Sequence, residues 1–261
     1  MSVLTAANVT VRRQGRAIVD DVSCELRPGM FIVVVGANGA GKSTLLAVLA
    51  GLLAPDAGEA RLDGTPLAGI NRRALARRRA YLPQNPRAEW PISVERLVAL
   101  GVTPHLPAFG GLPGGLEPRL TRAIEACDLA AHRHQPATTL SGGELTRAML
   151  ARALIGDPDI LIADEPIAGL DPRHALDTMG RLAAYAADAG KADRLVIASA
   201  HDLTLAARHA THLLALRDGR LAAFGPTAEV LTPAMIRDVF DVEARLSGAG
   251  SQVLVDFLPP A

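Results

Sequence analysis

The chain has 261 residues, 49% of them hydrophobic, enough for one large domain with a substantial core. Lysine plus arginine and aspartate plus glutamate are equal at 27 each, and this neutral balance gives no reason to expect a nucleic-acid partner. The longest apolar run, Leu45–Ala54, is broken by Gly51 and falls far short of the ~20 residues a membrane span requires, so anything carried across a bilayer would pass through a different chain.

The first residues lack a basic stretch followed by an apolar one and do not resemble a signal peptide. Val9 and Val11 alternate with polar neighbours, which predicts a half-buried strand, and Val19–Leu26 repeats the pattern. Phe31–Val35 is a continuous apolar, β-branched run, expected of a strand buried on both faces. A glycine-rich loop follows directly, and Lys42–Ala50 predicts a helix closed by Gly51. Arg61–Gly64 predicts a strand entering a turn. Arg72, Arg73, Arg77, Arg78 and Arg79 form the one basic concentration, read as a solvated helix face near a strand start because no aromatics interleave it.

From Ser93 to Gly156 the periodicity turns helical. Ser93 can cap Val94–Leu100; Glu117–Leu129 brings Leu120, Ala123, Ile124 and Cys127 to one face; Gly142–Leu154 does the same with Leu145, Met149 and Ala153. Thr103–Pro118, rich in proline and glycine, predicts an exposed loop. Strands return at Ile160–Ala163, Leu195–Ser199 and Leu213–Leu216, with a helix from Pro172 to about Ala187 between the first two. Thr232-Pro233 predicts a helix start and Gln252–Phe257 a last strand. Alternating strands and helices imply a mostly parallel sheet, so the helical stretch is an insertion. The expected organisation is a single domain with residues 1–92 and 157–261 as an α/β core and 93–156 as a helical subdomain. Cys24 and Cys127 lie far apart in apolar surroundings and predict separate buried thiols in a reducing compartment. The histidines other than His201 have no assignable partner and are read as surface residues.

Residues Gly36, Ala37, Asn38, Gly39, Ala40, Gly41, Lys42 and Ser43 have the pattern of a phosphate-binding loop. In such a loop backbone N–H groups point inward and the following helix adds its positive end. Lys42 is then expected to reach the β- and γ-phosphates of a nucleotide, the Ser43 hydroxyl to ligate Mg2+, and Thr44 to touch the phosphates. Asp164, at the end of an apolar strand, can hold Mg2+ through water, and Glu165 can deprotonate an attacking water. In Leu140-Ser141-Gly142-Gly143-Glu144, two glycines beside a serine at a helix start make an anion-accepting nest. Ser141 with Glu144 also fits an ordinary capping box.

The three elements in this order resemble the nucleotide-binding subunit of an ATP-binding cassette (ABC) transporter. That resemblance implies an α/β P-loop NTPase cassette with a mostly parallel core sheet, an antiparallel β portion and an inserted helical subdomain. It implies an ATPase that sandwiches two ATP in a head-to-tail homodimer, with Ser141, Gly142 and Gly143 meeting the γ-phosphate held by the other subunit. Gln84 resembles the glutamine that senses Mg2+ and the water, Ala168-Gly169-Leu170-Asp171 the loop crossing the dimer interface, and His201 the switch histidine. Family members stack an aromatic residue on adenine; Arg13 falls at the matching place, and a guanidinium plane can also stack on a base. Leu82-Pro83-Gln84, Trp90–Val94, Leu100–His105, Ser199–Leu203 and Gly225–Pro233 look like the importer branch for iron–siderophore complexes, haem or cobalamin, with manganese and zinc importers as close relatives. The resemblance further implies a membrane permease, a solute-binding protein beyond it, and a peripheral location at the cytoplasmic face of the plasma membrane. A cassette ATPase acting on nucleic acid or ribosomes is the first alternative. A phosphate-loop kinase or GTPase is the second, but it has no use for Leu140–Glu144.

Overall fold

The computed structural model describes residues 2–107, 115–191, 194–248 and 250–258. An antiparallel sheet comes first: β1 (Leu4–Arg13), β2 (Arg16–Leu26), β4 (Ala57–Leu62) and the short β5 (Thr65–Pro66), in the order β2-β1-β4-β5. The chain leaves this sheet to form β3 (Phe31–Val35) and α1 (Lys42–Leu49), and later α2 (Arg72–Arg78) and β6 (Arg79–Leu82). Three helices follow, α3 (Val94–Ala99), α4 (Leu116–Ala126) and α5 (Gly142–Ile155). Then come β7 (Ile160–Ala163), α6 (Pro172–Ala186), β8 (Leu195–Ser199), α7 (Leu203–His209), β9 (His212–Arg217), β10 (Arg220–Pro226), α8 (Thr227–Val230) and α9 (Pro233–Phe240). A hairpin of β11 (Ala244–Ser247) and β12 (Leu254–Phe257) ends the described chain.

The main sheet has the order β10-β9-β3-β8-β7-β6 and is parallel except for its β9–β10 hairpin. Every residue of β3 is buried, and the strand's two-residue period divides them between two cores. Phe31, Val33 and Val35 face the side built by α3 to α7, while Ile32 and Val34 face α1 and the antiparallel sheet. The helix after the glycine-rich loop is therefore clamped between two sheets, with Leu45, Leu46, Val48 and Leu49 buried. Burial also pushes the two thiols up, Cys24 to about 12 and Cys127 to about 11. Neither is bonded to another cysteine.

Several expectations need correction. The segment read as a loop from Thr103 to Pro118 starts as a 3-10 turn, Leu100–His105, and α4 already begins at Leu116; residues 108–114 of that segment lie outside the described residues. Strands β10 and β11 and helix α7 carried no sequence signal strong enough to predict them. The arginine cluster is not a uniformly solvated face. Arg73 and Arg77 both donate through Nε to the Pro104 carbonyl, Arg78 pairs with Asp63 and Asp159, and Arg79 opens β6 with its Nε buried. The histidines are not all unpartnered surface residues either. His132 Nδ1 meets Gln135, His174 Nδ1 meets Asp171 Oδ2 at 2.6 Å, and His209 Nε2 is buried. Among the described residues no helix is long and apolar enough to cross a membrane.

Candidate functional site

The glycine-rich loop sits at the carboxyl end of the central strand β3, where open α/β sheets place their ligands. Two of its glycines are dictated by neighbouring backbone. A Cβ on Gly36 would lie 2.4 Å from the Leu216 carbonyl oxygen of β9, and one on Gly41 2.3 Å from the Ile18 oxygen of β2. Gly41 also takes φ 95°, open to glycine at no steric cost. Ala37, Asn38 and Gly39 are exposed, whereas Ala40 and Gly41 are buried. No side chain caps the N-terminus of α1, which leaves the first-turn N–H groups free to meet an anion.

Lys42 is 6% exposed and donates from Nζ to the carbonyls of Gly36 (2.8 Å) and Ala37 (3.1 Å). Burial pulls its ammonium below the usual lysine range, against the opposing pull of the Glu165 and Asp164 carboxylates. Ser43 is exposed and Thr44 half-buried on the first turn of α1.

Two strands of the main sheet bring the acidic residues alongside. Strands β7 and β8 pair in parallel with Ala163 opposite Ala198, so Asp164 and Ser199 emerge at the same level. The Ser199 hydroxyl donates to Asp164 Oδ1 at 2.6 Å and accepts from the Glu165 N–H at 2.8 Å. Glu165 Oε1 in turn lies 2.6 Å from His201 Nε2. One continuous chain, Asp164–Ser199–Glu165–His201, thus spans the carboxyl ends of two adjacent strands. Glu165 is held at φ 50°; apart from Gln14, every other described non-glycine residue with positive φ is Asp or Asn. Asp and Asn tolerate that conformation through local hydrogen bonds, and glutamate does so less readily. Beside Tyr81, the Asp164 charge and burial push the phenol up to about 12, burial being the larger cause.

Ser199 is the one residue of this chain that sequence reasoning passed over. A faint signal existed, since it is the only polar residue of the buried run Leu195–Ser199 and falls where Asp164 falls on its own strand. Both Ser199 (0% exposed) and Asp164 (3%) are dry. Ser199→Ala leaves an N–H and a carboxylate oxygen unpaired there and is expected to cost about 1–3 kcal/mol. Urea unfolding measures this, with Ser199→Thr as the variant that restores the hydroxyl. An unchanged unfolding midpoint for the alanine variant would show that the bridge contributes nothing.

A cleft of about 830 Å3 collects the other candidates. Ser141, Gly142 and Gly143 line it at the start of α5, Gln84 beyond β6, and Ala168–Asp171 beyond β7. A Cβ on Gly143 would press on Leu170 at 3.2 Å, so the two glycine-bearing segments touch. Ser141 does form the capping box: its hydroxyl accepts from the Glu144 N–H (3.3 Å), and Glu144 Oε2 accepts from the Ser141 N–H (2.8 Å). Asp171 caps α6 and is held by His174 through both its N–H (3.0 Å) and its ring. Those bonds keep its carboxyl below the usual range. Gln84 is exposed, two residues beyond the Leu82 whose carbonyl accepts from the Asp164 N–H. Arg13 is not brought into these groupings. It is exposed where β1 turns into β2 and pairs across the hairpin with Arg16.

A phosphate-type loop and helix clamped between a mostly parallel and an antiparallel sheet, with an inserted helical lobe, define a P-loop NTPase of the cassette type. Residues 19–168 match the family described as ABC transporter. The hemin import ATP-binding protein of Bordetella parapertussis is 42% identical over 251 residues, covering 92% of this chain and 93% of that protein. A cobalamin import ATP-binding protein of Halobacterium salinarum is 38% identical over 238 residues, 91% of this chain and 58% of that one. An ABC transporter of the metal-chelate type, solved in an inward-facing conformation, superposes with a TM-score of 0.81 at 21% identity, over 100% of this chain and 98% of the other. This chain belongs to the ABC transporter family, as an ATP-binding cassette ATPase.

Proposed function

We propose that the chain is the ATP-hydrolysing subunit of an importer that takes up haem, with iron chelates and cobalamin as the neighbouring alternatives, through a separate membrane permease. The observation that carries the enzymatic part is the chain from Asp164 through Ser199 and Glu165 to His201, beside the loop that holds Lys42. Residues 36–44 cradle the ATP phosphates, with Lys42 on the β- and γ-phosphates. Glu165 takes the proton of the attacking water, and His201 holds that carboxylate in place and faces the γ-phosphate. Arg13 stacks on the base. Ser141, Gly142, Gly143 and Asp171 act across a head-to-tail homodimer on the nucleotide of the other copy.

Mg2+ fits the donors present. Asp164 is buried with a neutral hydroxyl as its hydrogen-bond partner, and Ser43, Gln84 and Asp164 offer the oxygen ligands a hard cation prefers. When bound, the ion supplies neutralisation of the phosphate charge. The same reading treats the chain as one ABC ATPase domain, with 1–92 and 157–261 as core and 93–156 as the lobe carrying the signature segment. It places the assembled protein at the cytoplasmic face of the membrane, with a solute-binding protein acting beyond the permease.

Haem is preferred because the hemin import protein named above resembles this chain over nearly the full length of both. The experiment is co-isolation from membranes with identification of the companion chains, followed by haem-dependent stimulation of ATPase in the reconstituted assembly. A companion permease that responds to cobalamin or to manganese, and not to haem, overturns the substrate assignment.

The permease contact is assigned to the segment 85–107. Its Trp90 is 73% exposed, and large exposed aromatics serve as anchors in interfaces. Trp90→Ala is expected to leave the soluble chain's ATPase at the parental level and to weaken its retention on permease-containing membranes by about tenfold or more. Equal loss of both would indicate misfolding, and full retention would remove Trp90 from the contact.

A further inference from the structure

The cleft assigned above to the γ-phosphate held by the other copy is lined by two acids, Glu144 and Asp171. A carboxylate beside a phosphate site is unfavourable unless its charge is met. Asp171 is met by the His174 ring at 2.6 Å. Glu144 has a histidine as well, supplied from the turn before α5. His132 Nε2 lies 3.4 Å from Glu144 Oε1, while Glu144 Oε2 accepts from the Ser141 N–H at 2.8 Å.

The surrounding hydrogen bonds fix where His132 keeps its hydrogen. Thr139 has one hydroxyl hydrogen, and it goes to the Pro136 carbonyl at 2.8 Å. The Thr139 hydroxyl oxygen therefore accepts from Gln135 Nε2, also at 2.8 Å, and the Thr139 carbonyl lies 3.4 Å from the same nitrogen. With acceptors on that side, the Gln135 amide turns its nitrogen toward Thr139 and its oxygen toward the imidazole. Gln135 Oε1 lies 2.8 Å from His132 Nδ1, so Nδ1 carries a hydrogen. A neutral imidazole has only one N–H. In that form Nε2 turns a lone pair toward the Glu144 carboxylate, and only the imidazolium presents an N–H there.

Glu144 shapes the serine turn and charges it at the same time. Its N–H donates to Ser141 Oγ at 3.3 Å, which leaves the serine hydrogen free to donate outward. The Ser141 N–H, the largest cause, holds the Glu144 carboxyl below the usual range, so it remains an anion. The neighbouring charges are engaged elsewhere. Arg147 of α5 acts on Glu144 less than His132 does, and its Nη1 donates to the Cys127 and Asp128 carbonyls. Arg133 and His134 turn to Glu95 of α3, and Arg133 also to Glu117 of α4. The Asp128 carboxylate meets Arg173 and His174 of α6.

We propose that His132 is a positioning residue of the signature segment: by taking up a proton it neutralises Glu144 and makes the Ser141–Gly143 turn receptive to the polyphosphate held by the other copy. The proposal rests on the cross-subunit reading of Ser141 given above. Closure of the head-to-tail dimer is then coupled to uptake of a proton from solvent at each of its two sites.

The test uses the full chain carrying Glu165→Gln, with ATP, and measures dimerisation by sedimentation from about pH 6 to about pH 8, the span in which imidazoles ordinarily change charge. Bound protons favour the dimer, so dimerisation is expected to weaken as pH rises. Adding His132→Gln is expected to weaken it at the acid end, about threefold for each half-exposed pair and thus ~tenfold for a dimer with two, and to flatten that part of the profile. Contributions from His174 and His201 are present in both proteins and cancel in the comparison. Glu144→Gln keeps an oxygen for the Ser141 N–H and removes the charge. It should dimerise at about pH 8 as the unaltered position does at about pH 6, and His132→Gln added to it should change nothing. ATP binding by the single subunit should be the same in all of them.

A purely structural part for His132 would lower dimerisation equally at every pH, together with the urea midpoint, and that result overturns the proposal. So does a Glu144→Gln chain that dimerises no better than its parent at about pH 8. If Glu144→Gln disturbs folding, the pH profile of His132→Gln decides alone. Dimerisation of Ser141→Arg removes the cross-subunit reading and the proposal with it. If Ser141→Arg blocks dimerisation and His132→Gln leaves the pH profile unchanged, the proposal alone falls.

Discussion

Glu165→Gln is expected to bind ATP as the parent does and to hydrolyse it ~100-fold more slowly or worse, the scale of a lost general base. An amide oxygen cannot take the proton that the carboxylate takes, and the phosphate cradle at residues 36–44 is untouched. The backbone N–H of residue 165 still reaches Ser199, and glutamine still presents an oxygen to His201, so the neighbourhood survives the exchange. The species that accumulates should be an ATP-bound dimer, visible by size-exclusion chromatography. Nucleotide binding by fluorescence and turnover by phosphate release make the two measurements. Parental turnover would show that another group accepts the proton.

The second large effect is expected at Ser141. Ser141→Arg should leave ATP binding by a single subunit intact and abolish ATP-driven dimerisation in the Glu165→Gln background. The residue opens onto the cleft that also holds Gly142, Gly143 and the Ala168–Asp171 segment, and a guanidinium arm would fill the place proposed for the other copy's γ-phosphate. Because Ser141 also caps α5, its removal alone costs about 1 kcal/mol. Ser141→Ala separates the effects: it loses the cap without blocking the cleft and should still dimerise. If the arginine variant dimerises as well, the serine–glycine segment is a helix cap and nothing more.

How much of this was legible from the residues alone depends on how far each signal reaches along the chain. The phosphate loop is a local grammar, since Gly36 and Gly41 are demanded by carbonyls pressing on them and the strand and helix on either side announce themselves by apolar pattern. Asp164 and Glu165 were legible for the same reason, as polar residues ending an apolar strand. Ser199 was not, because its meaning depends on β8 lying beside β7, and sheet order is not written in local periodicity. The arginines of α2 and β6 looked alike in sequence, yet Asp63 and Asp159, distant along the chain, single out Arg78. Arg13 shows the converse. Its position in the sequence pattern suggests a base contact, while the fold leaves it exposed at a hairpin opposite Arg16, so the structure by itself gives it no role.

Glu165 also tells something about the history a sequence like this can have. Its left-handed backbone is one that glycine, asparagine or aspartate would occupy at lower cost, and strain of this kind amounts to roughly 1–3 kcal/mol. With Glu165 as the base proposed above, folding and turnover would pull position 165 in opposite directions. A lineage released from the need to hydrolyse ATP, while still required to fold, would be expected to lose glutamate here before it lost the glycines of the phosphate loop, which serve the backbone whether or not a nucleotide ever arrives.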